Sequence, residues 1–161
     1  LDRQTPPKSS SANDIVQFWE SVGQPVESYP TLLGLDPVEA PGLLRLVEDG
    51  LDFSALERFQ RNAALTTAEI TELLGIPSRT LARRRERGVL EVDESDRLLR
   101  FSRVLGAAIE LFEGDGEAAL RWLRAPQRAL GGEMPFAMAR TELGARHVEQ
   151  LIGRLEHGVF S

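Results

Sequence analysis

LTTAEITELLGIPSRTLARRRERGVL, residues 65–90, holds two short helical patterns separated by Gly75-Ile76-Pro77. Thr66-Thr67-Ala68-Glu69 has the spacing of a capping box, in which a hydroxyl receives one free amide and a carboxylate reaches back to another. That predicts a helix from here to about Leu74. Gly75-Ile76-Pro77 breaks it, Ser78 is expected to cap the helix that follows, and Gly88 to end it. Ile70, Leu73 and Leu74 give the first helix an apolar face. Ile76 is expected to fill the gap between the helices, and Leu81 to anchor the second. Two short, separately capped helices across such a turn have the proportions of a helix-turn-helix.

The charge pattern singles out the second helix. The chain as a whole carries −6, yet residues 61–103 hold nine arginines against seven acids, so the remainder carries −8. Within 78–90 the balance is five arginines to one acid. An acidic body with one basic element reads as a protein presenting a single helix to a polyanion. With Leu81 turned inward, Arg79, Thr80, Arg83, Arg84 and Arg87 are expected to be free. The hydroxyls of Ser78 and Thr80, at the positive end of the helix dipole, suit phosphate or base edges. Arginine can fork onto guanine or neutralise phosphate. Arg79, Thr80 and Arg83 are assigned to bases, Arg84 and Arg87 to the DNA backbone. The alternative is a solvated arginine face paired with Glu86, Glu91 or Glu94.

Composition excludes several classes. At 161 residues the chain can bury a core as one domain or two small ones. It has no cysteine, which removes disulfides, thiolate zinc sites and cysteine nucleophiles, and suits a reducing, cytoplasmic setting. No apolar run is long enough for a membrane span, and no signal peptide is visible. The chain does not start with Met, so its beginning is expected to be trimmed.

The rest of the chain reads as helical. Residues 1–12, LDRQTPPKSSSA, are expected to be disordered, with a short helix at 14–22 and a Gly/Pro-punctuated loop after it. Gly42–Glu48 is expected to form a helical turn or two. Ser54-Ala-Leu-Glu57 has the capping-box spacing for a helix to about Ala63. Asp93 is expected to cap a long helix to Phe112 whose apolar positions are Leu98, Phe101, Leu105, Ile109 and Phe112. Asp115 caps a further helix to about Arg124, Pro135 opens a short one, and Val148, Leu151, Ile152 and Leu155 mark a last helix stopped by Gly158. No period-2 strand is visible, so the fold class is all-α.

Other chemistry finds little support. Ser95-Asp96-Arg97 and Arg100 read as surface i to i+4 pairing, with a network linking the two halves or a DNA contact as alternatives. Trp122 and Leu123 read as core. Gly131-Gly132 lacks the Lys-Ser/Thr sequel of a phosphate cradle. His147 and His157 lack metal-ligand spacing, so no metal is expected. Glu91, Asp93 and Glu94 sit where a helix start favours acids anyway. No catalytic residue and no cofactor is assigned. A stand-alone HTH regulator whose C-terminal part dimerises or senses a ligand, and an interaction module without DNA binding, remain open.

Residues 74–161 resemble the Xre/MbcA/ParS antitoxins, which are paired with RES-domain toxins. The stretches that carry the resemblance are IPSRTLARRRERGVL, ESDRLLR, AALRWLRAPQRALGG, PFAMARTELGARHVEQL from Pro135, and GRLEHGV. The resemblance implies a type II antitoxin in two parts: an Xre-like HTH domain over 13–92 that binds the promoter of its own operon, and a helical toxin-binding domain over 93–161. It also implies a homodimer or larger toxin–antitoxin complex, a partner toxin similar to ADP-ribosyltransferases that uses NAD⁺, and no catalytic activity in the antitoxin itself. For this family it implies that the tail after Gly158 (Val159, Phe160 and Ser161) enters the toxin's NAD⁺ cleft. Arg154 and His157 would brace the rim. The alternative is that Phe160 folds back on the last helix.

Overall fold

The computed structural model describes residues 40–158. The readings for residues 1–39 and for the tail Val159–Ser161 lie outside the described residues.

Along the chain come α1 (Ala40–Asp49), α2 (Phe53–Asn62), α3 (Thr67–Leu74), α4 (Ser78–Arg87), the long α5 (Val92–Leu111), α6 (Gly116–Leu123), a 3-10 turn (Arg128–Leu130), α7 (Pro135–Met138) and α8 (Glu142–Glu156). Among the described residues there is no strand, only an isolated antiparallel bridge between Asp52 and Val89. The protein is all-α, as its periodicities predict.

The architecture is organised around α5. Its apolar positions bury Leu98, Phe101, Val104, Leu105, Ala108 and Ile109. α1 and α3 pack against it from the N-terminal half, and α6 and α8 from the C-terminal half. One hydrophobic cluster runs from Leu51 to Ile152. Phe101 meets Phe136 edge to face at 6.2 Å, which ties α7 to the same helix. Leu123 is fully buried, while Trp122 is half-buried and lies 6.3 Å from the Phe112 ring.

Three helix starts differ from the sequence reading. α2 begins after Asp52, and Ser54 is not its cap. The bridge to Val89 and the bond from the Phe53 amide to the Gly88 carbonyl (2.9 Å) hold Asp52 outside the helix, so helical geometry begins at Phe53, one residue before Ser54. α4 starts after Pro77, whose φ of −67° and ψ of 156° make it the capping residue and put Ser78 inside the first turn. Ser78 therefore makes no capping bond. α5 starts after Glu91 rather than at Asp93, because the Glu94 carboxylate takes the Glu91 amide at 2.9 Å. Gly42–Glu48 lies within α1, which extends beyond it at both ends.

Candidate functional site

The helix-turn-helix forms as its sequence dictates. Thr66 Oγ1 accepts the Glu69 amide at 3.2 Å while the Glu69 carboxylate takes the Thr66 amide at 2.7 Å, so both halves of the capping box are present. Gly75 ends α3 with φ 66°, the left-handed conformation that glycine enters without a Cβ penalty. Its amide and that of Ile76 return to the carbonyls of Glu72 and Thr71. Ile70, Leu73 and Leu74 of α3 and Leu81 of α4 are buried, and Ile76 packs against the core between them. Arg97 of α5 donates to the Leu74 carbonyl, closing the end of α3 from a third helix.

With Leu81 fixed inward, the outer face of α4 carries Arg79 and Arg83, one helical turn apart and both exposed. Arg79 has no ion-pair or hydrogen-bond partner among the described residues. Among the described residues, Arg83 makes one hydrogen bond, to Thr80 Oγ1 at 3.4 Å, and no ion pair. Ser78 is exposed and Thr80 half-buried. Arg87 is exposed and pairs with Glu91 at 2.6 Å. This face can present two unencumbered guanidinium groups and two hydroxyls to a groove about the width of a helix.

Arg84 is a correction to the expected set of free arginines. Its side chain is 15% exposed, and its Nε donates to both oxygens of the Glu94 carboxylate, at 3.1 and 2.8 Å. The bond from Glu94 outweighs desolvation and raises the Arg84 pKa above its ordinary value. Position 84 falls on the flank of α4 that meets α5, so the guanidinium turns into the protein. Arg85, on the opposite flank, lies over the Phe53 ring at 5.3 Å. The alternative reading, an arginine face paired with Glu86, Glu91 or Glu94, holds for Arg84–Glu94 and Arg87–Glu91. What the sequence reading missed is that Glu94 also caps α5. The signal was present: Glu91-x-x-Glu94 has the reciprocal spacing of a capping pair ahead of an apolar run.

The acids and arginines of α5 reach both halves of the chain. Arg97–Asp93 (3.5 Å) and Arg100–Asp96 (2.9 Å) are the expected i to i+4 pairs. Arg100 goes further, to Glu142 at 3.1 Å and to the Arg140 carbonyl at 2.9 Å. Glu142 also receives Arg103 at 2.9 Å and Arg146 at 3.4 Å, and Arg103 pairs with Glu149. Burial opposes ionisation of Glu142, but the bonds from Arg103, Arg100 and Arg146 prevail and hold its carboxyl below the ordinary value. Ser95 is buried and accepts the Leu51 amide at 2.9 Å, so it is a structural anchor.

Two further pairs join α3 to the C-terminal half: Arg140–Glu72 at 2.7 Å and Arg124–Glu69 at 3.6 Å. They flank a groove of about 240 Å³ floored by Leu65, Leu73 and Phe136. At the chain's far end, His157 caps α8 and Gly158 follows with φ 67°, so the helix stops where the glycine predicts. Arg154 is half-buried, and His157 and Gly158 are exposed beside it. His147 is also exposed. Among the described residues no cluster of His, Cys, Asp or Glu could hold a metal ion, and no helix is long and apolar enough to cross a membrane.

Two family models match the chain on either side of the middle of α5. Residues 42–103 match the antitoxin Xre-like helix-turn-helix domain, and residues 107–158 match the antitoxin Xre/MbcA/ParS C-terminal toxin-binding domain. The chain is similar to a Yersinia enterocolitica protein named Antitoxin Xre, with 41% identity over 80% of this chain and 88% of the relative. A Photorhabdus laumondii protein of the same name is 35% identical over 89% of this chain and 90% of the relative. A more distant relative from Sphingobium, named Prs ADP-ribosylating antitoxin, is 24% identical over 86% of this chain and 91% of its own length.

Proposed function

The chain belongs to the Xre antitoxin family, and from that premise we propose that it neutralises a RES-domain toxin and represses its own operon. It is an antitoxin of a toxin–antitoxin system and carries an HTH domain. The observation that carries the DNA half is the outer face of α4, where Arg79 and Arg83 stand exposed and without a carboxylate partner among the described residues, in a chain of net charge −6. In this reading Arg79, Thr80 and Arg83 meet base edges, Ser78 meets a phosphate at the start of α4, and Arg87 leaves Glu91 for the DNA backbone.

For the toxin half, the support is the match of residues 107–158 to a toxin-binding domain. The word ADP-ribosylating in the name of the Sphingobium relative favours a toxin that uses NAD⁺, since that cofactor donates the transferred group. α8 would then direct Val159–Ser161 into the NAD⁺ cleft, with Phe160 in an apolar slot. Arg154, His157 and Gly158 would line the rim. The complex would be built from antitoxin dimers.

Co-expression with the toxin encoded beside it tests this directly. Intact antitoxin is expected to co-purify with the toxin and keep cellular NAD⁺ at its normal level. Removal of residues 159–161 is expected to restore NAD⁺ loss while co-purification persists. Full inhibition by the shortened chain at equal occupancy would place the block elsewhere in the C-terminal domain.

A further inference from the structure

Among the described residues, Glu94 is the charged residue that the fold buries, at 2% exposure. Its carboxylate does two things at once. Oε2 accepts the Glu91 amide at 2.9 Å, which caps α5, and both oxygens receive Arg84 Nε, which grips α4. Burying a carboxylate and a guanidinium is costly, and apolar side chains of similar volume commonly stabilise such a site as well or better. What an ion pair supplies that apolar packing does not is direction. Nε shared between two oxygens fixes the guanidinium, and with it the rotation of α4 about its own axis.

That rotation decides where the reading face points. Arg84 follows Arg83 directly, so a turn of α4 that frees Arg84 swings Arg79 and Arg83 away by the same angle. Leu81 holds the helix down but resists rotation only weakly, because an apolar contact has no preferred direction. Arg85 over Phe53 and 4.0 Å from Glu57 steadies the other flank, although its side chain is 58% exposed.

We propose that Glu94 is a positioning residue for DNA recognition, acting through Arg84 to aim Arg79 and Arg83. The inference rests on the DNA reading given above. It makes a prediction opposite in sign to plain electrostatics. Removing an acid beside a DNA-binding face ordinarily tightens binding to a polyanion. Glu94→Gln removes that charge and is expected to weaken binding.

The experiment measures binding of the full chain to a labelled duplex of the region immediately upstream of its operon, over a range of salt, for four variants. Glu94→Gln is expected to lose about tenfold in affinity, roughly the effect of one mismatched base pair. Arg84→Met with Glu94→Leu replaces the pair by apolar groups. It is expected to stay folded with a somewhat lower melting temperature, because the Glu91 amide loses its cap, and to keep its toxin binding while losing promoter affinity to a similar degree. This double variant decides the matter if Glu94→Gln folds poorly. Its salt slope is expected to match wild type, whereas Arg83→Ala lowers the slope by about 0.9 if Arg83 also neutralises a phosphate. Equal or tighter binding by folded Glu94→Gln, or wild-type affinity in the apolar double variant, would overturn the proposal. So would a slope lowered by about 0.9 in the double variant, which would make Arg84 a phosphate contact. If Arg79→Ala with Arg83→Ala binds like wild type, the DNA reading itself fails and the proposal falls with it. If that variant loses binding and the Glu94 variants do not, only the positioning role is wrong.

Discussion

Arg140, in the turn that precedes α8, pairs with Glu72 of α3 at 2.7 Å, so the first HTH helix is fastened to the toxin-binding half of the chain. Both side chains are about half exposed or more, so the pair alone contributes about 0.5 kcal/mol. The stronger link is the shared core on α5. The chain is therefore expected to unfold in one cooperative step, with equal calorimetric and van't Hoff enthalpies. Arg140→Ala is expected to shift the midpoint slightly without splitting the transition. Two resolved transitions would mean that the halves fold separately.

Gly144 of α8 packs closely against the end of α7. A Cβ there would collide with the Met138 carbonyl oxygen, so Gly144→Ala forces the two helices apart. The expected loss is about 3 kcal/mol, read from urea unfolding. Gly153, on the same helix, has nothing near its missing Cβ. Gly153→Ala is expected to stabilise by about 0.5–1 kcal/mol through helix propensity. Similar effects of the two substitutions would contradict the packing.

Ser95→Ala is expected to cost about 1–3 kcal/mol, because it strands the buried Leu51 amide. The measurement is again the denaturation midpoint. Ser95→Thr keeps the acceptor but adds a methyl group at a fully buried site, so it is expected to recover only part of the loss.

Acid lability is expected to trace in part to Glu142. Its carboxyl in the folded protein lies below the ordinary 4.5, so as pH falls the unfolded chain takes up the proton first. The stabilisation is complete above pH 4.5 and is lost as pH drops through the folded value. Glu142→Gln is expected to be less stable at neutral pH by about 1 kcal/mol, the upper end for exposed pairs, since this side chain is 43% exposed. The gap to wild type is expected to close in acid. A gap that stays constant down to pH 3 would assign the lability to other groups.

What could be read from the sequence was what local rules decide. The Thr66–Glu69 capping box, the turn at Gly75, the stops at Gly88 and Gly158 and the apolar stripe of α5 each follow from residues within a few positions of one another. The helix starts at Asp52 and Pro77 differ from the reading because the backbone outranked capping side chains: a bridge to Val89 in one case, the extended ψ of 156° at Pro77 in the other. Arg84 looked as free as Arg83, since only the packing of α4 on α5 distinguishes their flanks. The pairs Arg140–Glu72 and Arg103–Glu142 join positions too far apart in the chain for any spacing rule to link them.

In the proposed function, one packed body carries two separate binding surfaces, the outer face of α4 for DNA and the C-terminal half for toxin. Arg79→Ala combined with Arg83→Ala tests it most directly, in cells carrying the toxin and a reporter driven by the operon's promoter. The reporter is expected to be derepressed while the cells grow normally, because neutralisation does not use that face. Full repression by the double variant, or derepression accompanied by toxicity at unchanged antitoxin level, would contradict it.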